Sequence, residues 1–451
     1  MYNKERAQIG ARMIIDTCLQ LEMGQELLIL FDETTRQVAH LFIETADELG
    51  VYAAAMYVPV EVQQKIGRRG TLPLTMHSAI RDALGILTCL TDENACGAFR
   101  RNVFDVAIST KSKIGHMPGV EMRLLPLAYA DYHQIRGDCD LLAAALLRGK
   151  QLELISRTAD GQEHRLSAEI GGWARPPAIS NGLIRRGAWA NLPAGEAFIA
   201  PLEGTAHGSV VIDGSLPGYV IPRGAGICLE FDGGRMVNYR SADPGCLQII
   251  DELRDFAQTQ GDANWCNLAE VGLGVNPAVR SFSGVEVLDE KKYATAHVAL
   301  GESAWFGGAV SSVIHNDLVI RRPLVRVDGK TIVGGGRIQA DWADWQQDHH
   351  ALEVSEKWRA GFKTVSRSAT RGDRVAGVLR REWVDGRGEL RDLQVGTPDS
   401  ARKAASLYNS LPSVGGRLTL DGLFSHHQRW DETEVYQLIR LLEMYELVEL
   451  S

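Results

Sequence analysis

Two histidines and an aspartate are spaced so that they could do chemistry together: His297, His315 and Asp317. His315 and Asp317 sit two apart inside the apolar run SSVIHNDLVI. In a β-strand, residues i and i+2 project from the same face, so this spacing sets an imidazole beside a carboxylate. His297 lies in a second β-type run, TAHVALG. Two imidazoles and one carboxylate suffice to hold a catalytic divalent metal with positions left open. Taken alone, a His-x-Asp pair is a weak signal, because ordinary strands carry such pairs without binding anything.

Neighbouring segments strengthen it. NLPAGEAFIAPLEGTAHGSVVIDGS occupies residues 191–215 and NLAEVGLGVNPAV residues 267–279. LDEKKYATAHVALG and IHNDLVI follow. In that order these segments resemble the successive motifs of the aminopeptidase T family of metallo-aminopeptidases, over roughly residues 5–340. The resemblance implies removal of single residues from peptide N-termini by two divalent cations held by carboxylates and imidazoles. Carried over position by position, it makes Glu196, Glu270, His297, His315 and Asp317 the ligands. It makes Glu290 of LDEK a further ligand or the general base. Glu196 and Glu270 are then the bridging carboxylates, since one carboxylate offers an oxygen to each of two metals. Glu196 and Glu290 are the candidate catalytic carboxylates. A mixed imidazole and carboxylate set suits zinc, cobalt, manganese or iron. The resemblance also implies a homodimer in which each cleft is closed by the partner.

One position departs from the family pattern. A tyrosine is expected shortly after the ALG of the His297 motif, and Ala304 stands there, beside Trp305. A site that relied on that hydroxyl to polarise a substrate carbonyl would lack it here. Two alternatives follow. One is a mononuclear Fe(II) oxygenase, as in the 2,5-dihydroxypyridine ring-cleaving dioxygenases, which share this fold and in which a histidine replaces one of the peptidase glutamates. Retention of Glu270 favours the peptidase-like site. The other is a non-catalytic protein that only holds a peptide, such as the carrier or precursor peptide of a dedicated peptide-processing pathway.

The elements that must position these groups are partly legible. Residues 4–22 carry Ile9, Met13, Ile14 and Leu19 at helical spacing, and Gly24 ends the run. ELLILF reads as a buried parallel strand, residues 33–49 as an amphipathic helix, and VYAAAMYV as the next strand. Further strands are predicted at GILTCL and DVAIST, and helices near 74–84 and 131–149. This order predicts an α/β domain over 1–150. No glycine-rich fingerprint follows the first strand, which argues against a dinucleotide site. Asp32 and Glu33 close that strand, and Asp32 reads as a helix N-cap. From 151 to 345 the chain is rich in glycine and short β-type runs, beginning with a hairpin at Asp160-Gly161. This β-rich α+β stretch holds every ligand motif. Residues 346–451 read as a small winged-helix-like α+β extension. It has a hairpin at Gly386-Arg387-Gly388 and helices over Pro398–Leu411, over TLDGLFSHH from Thr419, and from Asp431.

Composition bounds the rest. The 451 residues are enough for two or three domains with a large core. A net charge of −9 argues against nucleic-acid or acidic-membrane partners. Seven cysteines without a C-x-x-C pair read as reduced thiols. With the polar start MYNKERAQIGARM, this predicts a cytoplasmic protein. Residues 399–451 hold five Lys or Arg and eight Asp or Glu, a charge unsuited to DNA. A docking surface for a peptide or a second subunit, or a structural cap, fits that extension better. Glu203 and His207 follow the Glu196 motif and are candidates for outer partners of a metal site. His116 in IGHMPG is a candidate for the substrate cleft. His349-His350 and His426-His427 read as solvated surface, and Gly334-Gly335-Gly336 as a turn.

Overall fold

The computed structural model describes residues 4–91, 96–171 and 175–341, Asp344, and three short strands at 364–367, 417–419 and 448–450.

The chain opens with helix α1 (Lys4–Met13), extended by a wide turn over Ile14–Cys18. Strand β1 (Glu26–Phe31), helix α2 (Arg36–Glu48) and strand β2 (Tyr52–Tyr57) follow. Then come α3 (Val60–Arg69), α4 (Leu74–Asp82), β3 (Gly85–Cys89), α5 (Gly97–Ser109), β4 (Lys113–His116) and α6 (Tyr132–Arg148). The strands form a parallel sheet in the order β2-β1-β3-β4, completed by β8 (Trp189–Asn191) from later in the chain. Both faces are covered. Leu27 and Ile29 of β1 join a core that runs through to the rest of the molecule, while Leu28 and Leu30 join a separate cluster with Ile86, Phe99 and Val103. A strand buried on both faces must be apolar at every position, which is why ELLILF does not alternate.

Two sequence expectations fail here. DVAIST is not a strand: it forms the last turns of α5, whose buried residues Phe99, Val103 and Ala107 recur every fourth position. Read as six residues it fits a strand, and only the longer window shows the helical period. Asp32 does not cap α2. Its Oδ1 accepts the Thr34 N–H, and its Oδ2 accepts the Thr91 N–H and Gln63 Nε2. The buried carboxylate thus ties the end of β1 to the segment after β3.

The remaining strands build two further sheets. One contains β5 (Gln151–Arg157), β6 (Glu163–Glu169), β10 (His207–Ile212), β13 (Ile227–Asp232), β14 (Arg235–Ser241), β18 (Leu324–Val327), β19 (Lys330–Gly334) and β20 (Arg337–Ile338). Their order is β14-β13-β10-β6-β5-β18-β19-β20. The hairpin at Gly161 and the tight turn at Gly335-Gly336 are as expected, each with positive φ at the glycines. The other sheet runs β12-β11-β17-β16-β15-β9-β7. Its members are β7 (Ala178–Ser180), β9 (Glu196–Ile199), β11 (Ser215–Leu216), β12 (Tyr219–Val220), β15 (Leu268–Gly274), β16 (Ala296–Gly301) and β17 (His315–Ile320). Helix α7 (Pro244–Thr259) and the single turn α8 (Glu286–Asp289) lie between strands of this half.

Among the described residues, no helix is long and apolar enough to cross a membrane. Beyond residue 344, Thr364–Arg367 pairs antiparallel with Arg417–Thr419 and with Val448–Leu450. Thr419, expected to open a helix, instead closes a strand. The other elements expected after 346, with His349-His350 and His426-His427, lie outside the described residues.

Candidate metal centre

The centre is built on four adjacent strands, β9, β15, β16 and β17. In an antiparallel sheet directly opposed residues share a face, as do residues i and i+2. Glu196 lies opposite Gly274, Gly272 opposite His297, and Gly301 opposite His315. Ala299 is flanked by Glu270 on one side and Asp317 on the other. All five ligand candidates therefore project from one face, separated by Gly272, Gly274, Ala299 and Gly301. The other face carries Val271, Leu273, Val298, Leu300 and Leu318 into the core. Sequence alternation thus places small and ionisable residues on one side and aliphatic residues on the other.

The small residues are needed. A Cβ at Gly272 would come within 2.0 Å of His297 Nε2, and one at Gly274 within 2.2 Å of the Lys292 carbonyl oxygen. The segment Glu290–Lys292 lies against Gly274, which is how a residue outside the sheet reaches the cluster. Asp289 holds that segment: its carboxylate accepts the Ser283 and Gly284 N–H groups at 2.8 Å. Glu286 of α8 accepts the backbone N–H of Asp317 and Asn316 Nδ2.

His297 Nε2 lies 3.0 Å from Glu270 Oε1, 3.6 Å from Glu196 Oε2 and 3.8 Å from Asp317 Oδ1. His315 Nε2 lies 3.5 Å from Glu270 Oε2 and 3.8 Å from Asp317 Oδ1. His315 Nδ1 donates to the Glu302 carbonyl oxygen at 2.7 Å. A carbonyl only accepts, so Nδ1 carries a proton and Nε2 faces inward, where it donates to Glu270 when protonated and would present a lone pair to a cation when not. Glu196 Oε2 and Asp317 Oδ1 are buried without a hydrogen-bond partner. Acceptors that face one another and lack donors fit a cation between them. Among the described residues, two groups of three have ligand atoms within 4.8 Å of one another: Glu196, Glu290 and His297, and Glu270, His297 and Asp317.

Lys291 is the member that sequence reasoning missed. It is fully buried, and its ammonium donates to Oε1 of both Glu196 and Glu290. Its only sequence signal was position, directly after a candidate acid inside a ligand motif. A lysine reads as a surface residue until burial is known.

Burial drives the cluster's acid-base behaviour. It pushes Glu196 up to about 7 against the pull of Lys291, and Glu290 up to about 8. Burial would raise Glu270 too, but hydrogen bonds from His297 and His315 hold it near 2. Burial opposes the imidazolium of His297, yet the carboxylates of Asp317, Glu270 and Glu196 raise its pKa to about 10. In the metal-free fold Glu196, Glu290 and His297 thus retain protons that the unfolded chain releases at lower pH. Stability of the metal-free protein is expected to fall as pH rises from about 5 to about 8. A divalent cation needs those protons displaced, so its stabilising shift should be larger at pH 8 than at pH 5. Thermal melts at both pH values, with and without Zn(II), check this. A metal-free Tm that climbs over that range would contradict the assignment of these groups.

The rim is aromatic. Phe198 meets Phe306 edge-on at 5.4 Å, and Phe306 meets the His315 ring at 5.6 Å. Phe306 closes a short turn that begins at Ala304, which is exposed and offers no hydroxyl. The side chain of Trp305 lies outside the described residues. Glu302 anchors this loop by accepting the Ala304 and Ser312 N–H groups. Glu203 accepts the Ala309 N–H while held by both terminal guanidinium nitrogens of Arg175. Glu203 is therefore a loop anchor. His207 pairs at the surface with Asp232 at 2.8 Å. His116 sits at the end of β4 against Thr88 and Phe104, where burial and Arg100 hold its pKa down to about 3. None of these three joins the cluster.

No known protein family's sequence model matches the chain, and no curated protein matches it by sequence. Solved structures do match in fold. A 2,5-dihydroxypyridine dioxygenase from Pseudomonas putida superposes with a TM-score of 0.59 at 16% identity, covering 76% of this chain and 99% of that one. Wild-type AmpT, an aminopeptidase T from Thermus thermophilus, gives 0.55 at 16% identity, covering 74% and 99%. The chain shares its α/β architecture with both a peptidase and an oxygenase.

Proposed function

We propose that this protein is a metal-dependent, aminopeptidase-like hydrolase that cleaves an amide bond at the N-terminus of a peptide. The observation that carries this reading is the buried meeting of four carboxylates with two imidazoles, in which Glu196 Oε2 and Asp317 Oδ1 have no donor. A divalent cation there would polarise the scissile carbonyl and acidify a water. The chain's own groups account for the remainder. Glu290 is buried beside these ligands and held by Lys291, so in its ionised form it is placed to take a proton and return it to the leaving amine. The backbone contact of His315 keeps its ring oriented. Phe198 and Phe306 offer an apolar wall for the substrate's first side chain. Fluorogenic aminoacyl amides and their N-acetylated counterparts, assayed with Zn(II), Mn(II) or Co(II), test the reading. Cleavage confined to the free-amine substrates is expected. Equal cleavage of both would point to a general amidase.

A second reading has one observation in its favour. Lys291 engages Glu196 and Glu290, which leaves His297 and His315 with the carboxylates Glu270 and Asp317, a set that contains the two imidazoles and one carboxylate of mononuclear iron oxygenases. Oxygen consumption by the Fe(II)-loaded protein with a dihydroxylated aromatic ring, and no amide cleavage, would establish that chemistry instead.

A further inference from the structure

We infer that Lys291 occupies, as a built-in ammonium, one of the two cation positions in this cluster, so that the centre takes a single divalent ion held by Glu270, His297, His315 and Asp317. The inference rests on the reading of the cluster as a metal centre and deepens it.

The two candidate ligand groups share His297 and divide the carboxylates between them. In the first group, Glu196 and Glu290 each direct Oε1 at the Lys291 ammonium. In the second, no ion pair to a lysine or arginine occurs among the described residues, and Asp317 Oδ1 has no hydrogen-bond partner. The first group therefore carries an internal cation, with Glu196 Oε2 still unpartnered, and the second carries none.

The lysine is also built in rather than draped over the site. Its side chain is fully buried, and its carbonyl accepts the Asn276 N–H at 2.7 Å. A Cβ on Gly274 would stand 2.8 Å from the Lys291 carbonyl carbon, so the segment is seated directly on the sheet. A side chain rooted there has no path to solvent, and withdrawing it would leave two buried carboxylates without a counter-charge. A second dication beside the ammonium would meet its repulsion and would have to share with it the charge of Glu196 and Glu290. A single ion changes the division of labour: Glu196 becomes a fixed anion that positions Lys291 and so Glu290, rather than a bridge.

Manganese tests this with a readout independent of turnover. Metal-free protein is loaded with Mn(II), desalted, and analysed by elemental analysis and by electron paramagnetic resonance, with circular dichroism as a check on folding. Wild type is expected to hold one ion per chain with the spectrum of an isolated Mn(II). Lys291→Met is expected to hold two, with the broadened spectrum of a coupled pair, and Lys291→Arg one. Should Lys291→Met fail to fold, Glu196→Gln serves, since the amide oxygen still accepts from Lys291; it is expected to keep the single ion. Two coupled ions in wild type, one ion in a folded Lys291→Met, or loss of the ion in Glu196→Gln would each overturn the role of Lys291 while leaving a metal centre in place. No ion in wild type would overturn the metal-centre reading and this inference with it.

Discussion

Glu270→Gln is expected to lose metal affinity by about 100-fold or more and any amide hydrolysis by on the order of 10²- to 10³-fold, while keeping the fold. Glu270 is the carboxylate on which both imidazoles converge, one per oxygen, at 3.0 and 3.5 Å. It is also the carboxylate that stays ionised in the metal-free fold, because the two histidines outweigh its burial. Glutamine keeps the volume and one acceptor but removes the charge. The cluster then offers a cation one fewer anion, and the replacement amide places donors where acceptors are required. Isothermal titration with Zn(II) and an aminoacyl amide assay check the two losses, and a melting curve checks the fold. Affinity and rate within a few-fold of wild type would remove Glu270 from the centre.

Gly272→Ala is expected to destabilise the protein by about 1–3 kcal/mol and to cut metal affinity sharply, although residue 272 has no side chain to lose. The added methyl would lie 2.0 Å from His297 Nε2 and 2.2 Å from its Cε1. His297 is fully buried, so the ring cannot swing into solvent to make room. Either the ring leaves its rotamer or the two strands part, and both move Nε2 away from Glu270. Gly137→Ala is the control. Gly137 sits in α6 with no atom within 4 Å of the added carbon, and helix propensity favours alanine there by roughly 1 kcal/mol. Denaturant melts of the two variants should therefore shift in opposite directions. A Gly272→Ala protein as stable as wild type, with metal bound, would mean that the ring is not confined as described.

A good deal of this was readable in advance because it is local. The alternation of HNDLVI, AHVALG and LAEVGLG is a property of a few consecutive residues, and it places the donors on one face of their strands without knowledge of the partner strands. The first sheet was legible for the same reason, since ELLILF and GILTCL are apolar throughout as doubly buried strands must be. DVAIST was misread because six residues do not separate a period of two from one of 3.6.

Other features depend on which strands become neighbours, and these only the tertiary structure decided. Register sets Gly272 against His297 and Ala299 between Glu270 and Asp317, which turns two unremarkable small residues into the floor of the centre. Packing assigns Glu203 to Arg175 and His207 to Asp232, although both follow directly after a ligand motif. It also makes Asp32 a tie between strands rather than a helix cap. The largest difference is Lys291. By type the sequence marks it as a solvated cation. Its meaning changes because the fold removes water from around it and sets Glu196 and Glu290 against it as counter-charges. Charge is written in the sequence, but the strength of a charge's interactions depends on burial, and burial is set by the whole chain at once.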